Sequence, residues 1–191
     1  MWSSKDLTFV VIFTVLNFVY TLFVGQLAWL FSGIPGSNLL LIIGGVIVNS
    51  FALLYFQGRR WRFAVYQILF AILVIPTYLL GVPFDIIARL PIVIVGIISD
   101  VLFNSFFGFF KRQDKLMWWV IIDMTIFFLM TPFITSIYFS FVYAPEFVSF
   151  FVNSVILLIP IVVFESIVGA IIGYKLYERG KKEGWVRELQ I

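Results

Sequence analysis

The 191-residue sequence contains no cysteine and no histidine. Without cysteine it has no disulfide, no thiolate nucleophile and no cysteine-based metal site. Without histidine it lacks His-dependent triads, H-E-x-x-H zinc sites and histidine general bases. It also has no G-x-x-x-x-G-K-[ST] phosphate-binding loop, so we do not expect it to hydrolyse ATP in that way. These gaps predict a protein that is not an enzyme and that carries no metal or cofactor.

One enzyme class stays formally open. Asp100 and Asp123 lie on neighbouring apolar segments, and two carboxylates that share a site take different pKa values and serve as acid and base. Neither aspartate stands in the Gly-Asp context expected of an intramembrane aspartyl peptidase. The pair therefore gives little support to that activity.

Charged residues are also scarce, at 12% of the chain against about 25% in soluble domains. Hydrophobic residues make up 62%, and the mean hydropathy is +1.09. A spanning helix needs about 20 mainly apolar residues to cross about 30 Å of hydrocarbon. The composition and length predict an all-α integral membrane protein of six transmembrane helices, forming a single domain over residues 1–191. We expect a multi-pass protein of the cell membrane, in contact with membrane lipid.

Turn-forming and charged segments place the six spans at about residues 7–31, 38–57, 61–80, 84–110, 116–142 and from 146 into a basic tail. Of the thirteen Lys and Arg residues, all but Arg89 fall on the side that holds both termini. The positive-inside bias then predicts cytoplasmic termini, with loops near Pro35, Pro83 and Pro145 facing outward. This topology accounts for the basic residues, so no nucleic-acid partner is expected.

Three acids lie inside the predicted spans. Asp100, Asp123 and Glu165 stand on spans four, five and six, each roughly 10 to 15 Å from its cytoplasmic end. Intramembrane acids relay protons, hold cations or pair with an arginine of another subunit. The alternative is that these acids are protonated or hydrogen-bonded to neighbours such as Ser99 and Asn104. The sequence leaves both interpretations open.

Prolines gather toward the outer half. Pro76, Pro91, Pro132 and Pro160 fall within spans three to six, where proline removes a backbone donor and kinks a helix. We expect either a cavity that opens outward between spans three and six or simple helix bending.

Polar and aromatic residues at that level are candidates for a small-molecule site. Asp85 and Arg89 are spaced i, i+4 and either pair with each other or present charges to a ligand. Outer aromatic residues either belong to the interfacial belt or line a pocket, and outer asparagines either cap helices or add polar groups to that pocket. The predicted substrate-binding residues are Trp29, Asn38, Tyr78, Asp85, Arg89, Tyr138 and Asn153.

Three stretches resemble a known family. The loop LLGVP at residues 79–83 followed by LPIVIVGIISD at 90–100 is similar to the third loop and fourth helix of the S components of energy-coupling factor (ECF) vitamin transporters. The segment ESIVGAIIGYKL at 165–176 with its basic tail resembles their final helix. The glycine-rich first loop and the Arg59-Arg60 turn are also similar. The likeness spans nearly the whole chain but is carried by pattern more than by motif.

The resemblance implies a substrate-capture subunit. Such a protein binds a vitamin or vitamin precursor at the extracellular side, beneath loops one and three and between spans four to six. It then topples within a complex of a coupling membrane protein and two ATPase subunits. The alternative is a self-sufficient small membrane carrier, channel or scaffold without ATPase partners. The identity of the ligand stays open.

One family feature is missing. S components typically dock the coupling protein through an Ala-x-x-x-Ala face on helix one, whereas span one here contains only Ala28. Another small-residue face could take that role, or it could pack helices within the chain. The glycines to which these alternatives apply are Gly44, Gly45, Gly169 and Gly173.

Overall fold

The computed structural model describes residues 2–25, 27, 30, 39–78 and 83–184, and all regular structure in these ranges is helical. Trp29 and Asn38, two of the predicted substrate-binding residues, lie outside the described ranges, as does most of the LLGVP loop. The helices are α1 (Ser4–Tyr20, continued by a π-helical turn at Thr21–Gly25), α2 (Ile43–Tyr55), α3 (Arg62–Val74), α4 (Leu90–Arg112, preceded by a 3₁₀ turn at Ile87–Arg89), α5 (Leu116–Val142) and α6 (Pro145–Lys182).

Four helical segments are long and apolar enough to cross a membrane: Ser4–Gly25, Ile87–Arg112, Leu116–Val142 and Pro145–Lys182. Helices α2 and α3 have 13 residues each, about 20 Å at 1.5 Å per residue, which is less than a bilayer core of about 30 Å. The described chain is therefore that of a helical membrane protein, while six complete spans and cytoplasmic termini stay predictions.

The backbone explains why α2 and α3 are short. Leu41 and Trp61, which precede the two helices, have φ values of 64° and 74°, outside the helical region. Helix α3 ends at Val74; Ile75 keeps helical dihedrals, but Pro76 after it has no backbone N–H to continue the helical hydrogen bonds. Both helices therefore begin at a backbone break, and their ends need hydrogen-bond partners from elsewhere.

The six helices close into a ring. Helix α1 packs on α3, α3 on α4, α4 on α5, α5 on α6, α6 on α2, and α2 on α1, with further contact between α2 and α5 across the ring. Sequential neighbours run antiparallel, so the start of α1, the α2–α3 turn, the α4–α5 turn and the end of α6 share one end of the ring. At this end, which we call the basic end, Asp6 in the first turn of α1 pairs with Arg59 and Arg62.

Glycines allow close helix contact within the chain. A Cβ atom on Gly169 would lie 2.7 Å from the Cβ of Val46, and one on Gly173 would lie 2.8 Å from the Cβ of Ser50. Both glycines of α6 therefore face α2. On α2 itself, Gly44 lies against the ring of Tyr20, and Gly45 lies beside Asn17 of α1 and Phe128 of α5. All four glycines considered above pack against other parts of the same chain.

Candidate functional site

Asp100 caps the start of α3 from a neighbouring helix. Helix α3 has no side-chain cap of its own, but the carboxylate of Asp100 on α4 accepts hydrogen bonds from the backbone N–H groups of Trp61 at 3.0 Å and Ala64 at 2.9 Å. Asn104 donates to the same carboxylate at 2.9 Å. An anion at a helix amino terminus satisfies free donors and matches the helix dipole. The buried Asp100 thus has a structural role at this helix end.

Arg89 supports the opposite end of α3. Its guanidinium group donates to the backbone carbonyls of Thr77 at 3.0 Å and Val74 at 3.5 Å, and the residue is only 2% exposed. A cation at a helix carboxyl terminus is the favourable arrangement for the helix dipole. Arg89, in the turn before α4, and Asp100, within α4, therefore supply a charge of the correct sign to each end of α3.

Glu165 has the same role for α2. Its two carboxylate oxygens accept hydrogen bonds from the backbone N–H groups of Leu41 and Ile43, both at 3.1 Å. The hydroxyl of Tyr20 donates to the Leu41 carbonyl at 2.5 Å. Hydrogen bonds therefore attach the segment before α2 to two other helices: to α6 through Glu165 and to α1 through Tyr20.

Asp123 differs from the other two intramembrane acids. It is 1% exposed, and its Oδ2 atom accepts a hydrogen bond from Ser99 at 2.5 Å. Within the described residues its Oδ1 atom has no hydrogen-bond partner. The three acids therefore differ. Asp100 and Glu165 are hydrogen-bonded to helix ends, which is the structural alternative, whereas one carboxylate oxygen of Asp123 is not used in a hydrogen bond within the described residues.

A cavity of about 100 Å³ lies inside the ring, away from the basic end. Three buried carboxamides from three helices contribute to its wall: Asn17 of α1, Asn49 of α2 and Gln67 of α3, which are 4%, 2% and 1% exposed. The rest of the wall comes from α1, α2, α3, α4, α5 and the segment before α2. It consists of Tyr20, Thr21, Gly25, Leu39, Leu41, Ile42, Gly45, Phe70, Ile92, Phe127, Phe128 and Thr131. We call this space the carboxamide cavity.

Hydrogen bonds and close packing position the carboxamides. Gln67 donates from Nε2 to the Oδ1 atom of Asn49 at 2.5 Å, and Asn49 donates from Nδ2 to the backbone carbonyl of Gly45 at 2.7 Å. A Cβ atom on Gly96 of α4 would lie 2.6 Å from the Cβ of Gln67, so the glycine makes room for this side chain. Gln67 is therefore held from two sides at the cavity wall.

The backbone beside the cavity is irregular on two sides. Thr21 and Gly25, both in the wall, belong to the π-helical turn that follows α1. Leu41, also in the wall, has a positive φ. Single π-helical turns and strained backbone are frequent at functional sites. A largely apolar, aromatic wall with a few converging polar groups is the usual composition of a small-molecule site.

The predicted substrate-binding residues lie elsewhere. Tyr138 donates to both carboxylate oxygens of Asp85, at 2.9 and 3.1 Å, so these two are brought together. Tyr78 is 79% exposed. Asn153 lies with Tyr143 in a shallow groove of about 440 Å³ near the α5–α6 turn. None of the five predicted residues within the described ranges, Arg89 included, borders the carboxamide cavity.

The location of the cavity also differs from the expected one. It borders α3, α4 and α5 as expected, but also α1 and α2, and no residue of α6 lines it. Two of the four prolines do not contribute: Pro91 lies in the first turn of α4 and Pro76 beyond the end of α3, where proline interrupts no helical hydrogen bond. Pro132 does adjoin the cavity, since it follows the wall residue Thr131 inside α5. Only Pro132 and Pro160, on α5 and α6, stand inside the helices described here.

The carboxamides themselves were not among the predicted site residues. Asn17, Asn49 and Gln67 each stand in an otherwise mostly apolar stretch, and an isolated amide in a spanning segment is a signal for an interhelical bond or a buried site. Because these three side chains carry no charge, a search for ionisable groups within the spans does not find them. Their convergence depends on the packing of α1, α2 and α3 and is not visible in any one segment.

Comparisons with protein-family models, with curated proteins and with solved structures find no match. The resemblance to S components therefore rests on the sequence patterns described above. Any function for this chain has to be argued from the chemistry of its own residues, above all those of the carboxamide cavity.

Proposed function

We propose that this chain is the membrane-embedded substrate-capture subunit of an ECF-type ABC transporter, which binds a vitamin or vitamin precursor at the extracellular side for uptake. The observation that carries the proposal is the carboxamide cavity, which places Asn17, Asn49 and Gln67 in an aromatic wall away from the basic end. If the basic end is cytoplasmic, as the positive-inside bias predicts, the cavity belongs to the outer half of the protein.

The energetics of burial support a binding role for this cavity. Polar side chains in a membrane interior are costly unless they find partners, and those at such depth commonly serve a pathway or a site. Three amides from three different helices converge here rather than being scattered over the bundle. Because bonds within the protein engage only part of the hydrogen-bonding groups of these amides, their convergence supports a ligand as the partner of the rest.

The need for partners follows from what the chain lacks. It has no phosphate-binding loop, so energy for uptake would come from other subunits, which the resemblance to S components identifies as a coupling membrane protein and two ATPases. The glycines of α2 and α6 are used in packing within the chain and are poor candidates for docking. The proposal therefore needs a different surface for the coupling protein.

The outward face of α1 is the candidate for that surface. Val11, Val15 and Val19 recur every fourth residue and are 53%, 45% and 43% exposed, so they form a stripe along the helix. This valine stripe lies on the helix that carries the Ala-x-x-x-Ala docking face in S components. In the proposed complex it contacts the coupling protein, and in the free subunit it contacts lipid.

Native mass spectrometry of gently extracted protein tests the capture role. We expect a bound small organic compound, released on unfolding. Repeated spectra of empty protein at nanomolar sensitivity would count against capture. A matched experiment with unfolded protein shows whether the compound adheres non-specifically.

Co-purification tests the transporter assignment. We expect a tagged chain to retain a coupling protein and ATPases, and Val15→Trp on the valine stripe to reduce that retention, while Ile137→Trp on an exposed position of α5 leaves it unchanged. Ligand uptake by the chain alone, with no such proteins retained, would instead indicate the self-sufficient carrier or channel.

A further inference from the structure

The carboxamide cavity has hydrogen-bonding capacity that its own residues do not use. Each carboxamide has two N–H donors and an acceptor oxygen. Bonds within the cluster engage the oxygen of Asn49 and one N–H each of Asn49 and Gln67. Asn17 and Gln67 also lie beside the hydroxyl of Tyr66. Donors and acceptors of both kinds therefore remain for another molecule.

The volume of the cavity restricts the size of that molecule. The space is about 100 Å³, whereas an apolar protein cavity of about 150 Å³ takes up benzene. Pockets for drug-sized ligands measure about 300–1,000 Å³. The space is smaller than that benzene-binding cavity but is not closed on all sides. A single small ring therefore enters with one edge at the amides and part of its area outside, whereas a compound with two or three fused rings would lie mostly outside.

The lining also restricts charge. No Lys, Arg, Asp or Glu is among the described residues of the cavity wall. The closest acid that bonds to the wall, Glu165, is engaged by the N–H groups of Leu41 and Ile43. Burying an ion without a counter-charge costs several kcal/mol, whereas a neutral polar group is accommodated when its hydrogen bonds are satisfied.

From these three properties we infer that the carboxamide cavity binds a neutral, single-ring molecule whose edge carries adjacent N–H and C=O groups, as in a cyclic amide. Asn49 and Gln67 face that edge with complementary donors and acceptors, and the rings of Phe70, Phe127 and Phe128 contact its flat faces. The inference rests on the proposed capture function and names the ligand class of the same cavity.

Matched pairs of probes test the class. The full-length protein in lipid nanodiscs is titrated calorimetrically with uracil against orotate, which adds a carboxylate to the same ring. It is also titrated with nicotinamide against nicotinate and the 1-methylnicotinamide cation. We expect at least one neutral probe to bind tenfold or more tightly than its charged counterparts, a difference of about 1.4 kcal/mol or more.

Substitutions test the site. Asn49→Leu and Gln67→Leu remove the amide groups at similar volume and are expected to raise the Kd of the neutral probe at least tenfold. Gln113→Leu, at the exposed end of α4, is the matched control and should leave the Kd unchanged. Thr131→Phe fills the cavity, leaves the three amides in place and should abolish binding. The test of the site therefore still stands if one of the amide variants fails to fold. Unfolding temperatures are recorded for all four.

Each other outcome overturns the inference. Charged probes that bind as tightly as neutral ones refute the ligand class, and unchanged affinity in the Leu and Phe variants refutes the site. If no probe binds at about 10 mM, beyond the millimolar range of weak specific binding, the cavity holds only water. In that case a compound found by native mass spectrometry would still support capture at another site, so the two proposals fail separately.

Discussion

Replacing Asp100 is the strongest test of the structure. Its carboxylate receives three hydrogen bonds, two from the first backbone N–H groups of α3 and one from Asn104. Interhelical hydrogen bonds in membrane proteins contribute about 0.6 kcal/mol on average and about 1.7 at most. The bond from Asn104 lies within α4, so only the two bonds from the start of α3 are interhelical. These two amount to about 1–3 kcal/mol, and Asp100→Ala is expected to lower the free energy of unfolding by that amount. Asp100→Asn keeps one acceptor oxygen and should lose about half as much.

Unfolding in mixed micelles of mild detergent and dodecyl sulfate, followed by tryptophan fluorescence, measures the loss. Hydrogen–deuterium exchange provides the decisive second reading, because a capping role predicts faster exchange at Trp61 and Ala64 in the variants. Asp114→Asn, at an exposed turn position, is the control. If Asp100→Ala unfolds within about 0.5 kcal/mol of the parent, the range of ordinary surface substitutions, and the two amides stay protected, the capping argument is refuted.

Three further predictions follow from the same contacts. Gly169→Ala places a Cβ 2.7 Å from that of Val46 and should destabilise the protein by about 1–3 kcal/mol through overpacking. The control, Gly108→Ala, has open space around it and should not destabilise the protein. If the two variants have the same unfolding curve, the close packing of Gly169 is contradicted. Arg89→Met should weaken ligand binding more than Asp123→Asn, because Arg89 holds the end of the helix that carries the cavity glutamine; calorimetry with the bound compound could show the reverse order. Reporter fusions should place both termini in the cytoplasm, and an external carboxyl terminus would refute the topology and the outward position of the cavity.

The class of protein could be predicted from composition, and the grouping of its basic residues from their positions between the apolar segments. Apolar runs of sufficient length and turns rich in Gly, Pro and Lys or Arg are local properties, and the membrane selects helices for such runs regardless of the rest of the chain. The predicted span five, residues 116–142, coincides with α5, whereas the predicted span four, residues 84–110, begins six residues before α4 and ends two residues before its end. Spans two and three were predicted longer than α2 and α3. The irregular backbone at Leu41, which delays the start of α2, leaves no mark in hydropathy, and α3 ends at Val74, before Pro76, although apolar residues continue beyond it.

The roles of individual polar residues could not be predicted in the same way. Arg89, Asp85 and Asp100 were visible as costly charges in an apolar segment, but whether they serve a ligand or a neighbouring helix depends on which backbone groups lie opposite. Only the packing of α4 against α3 shows that Arg89 and Asp100 stabilise the two ends of one short helix. Glu165 likewise finds its partners at Leu41 and Ile43, far away in sequence.

The sequence by itself determined that this chain is an apolar helical protein with its basic residues collected on one side. Hydropathy and charge can be read along the sequence without knowledge of the tertiary contacts, so they are sufficient to predict these features. The similar depth expected for the three acids is not found, because Asp100 lies at the start of α3 and Glu165 at the start of α2, at opposite ends of the ring. Tertiary structure alone decided that Asn17, Asn49 and Gln67 meet at one cavity while the charged residues cap helices. Hydrogen bonds are short and directional, and their partners here come from helices that are distant in the sequence.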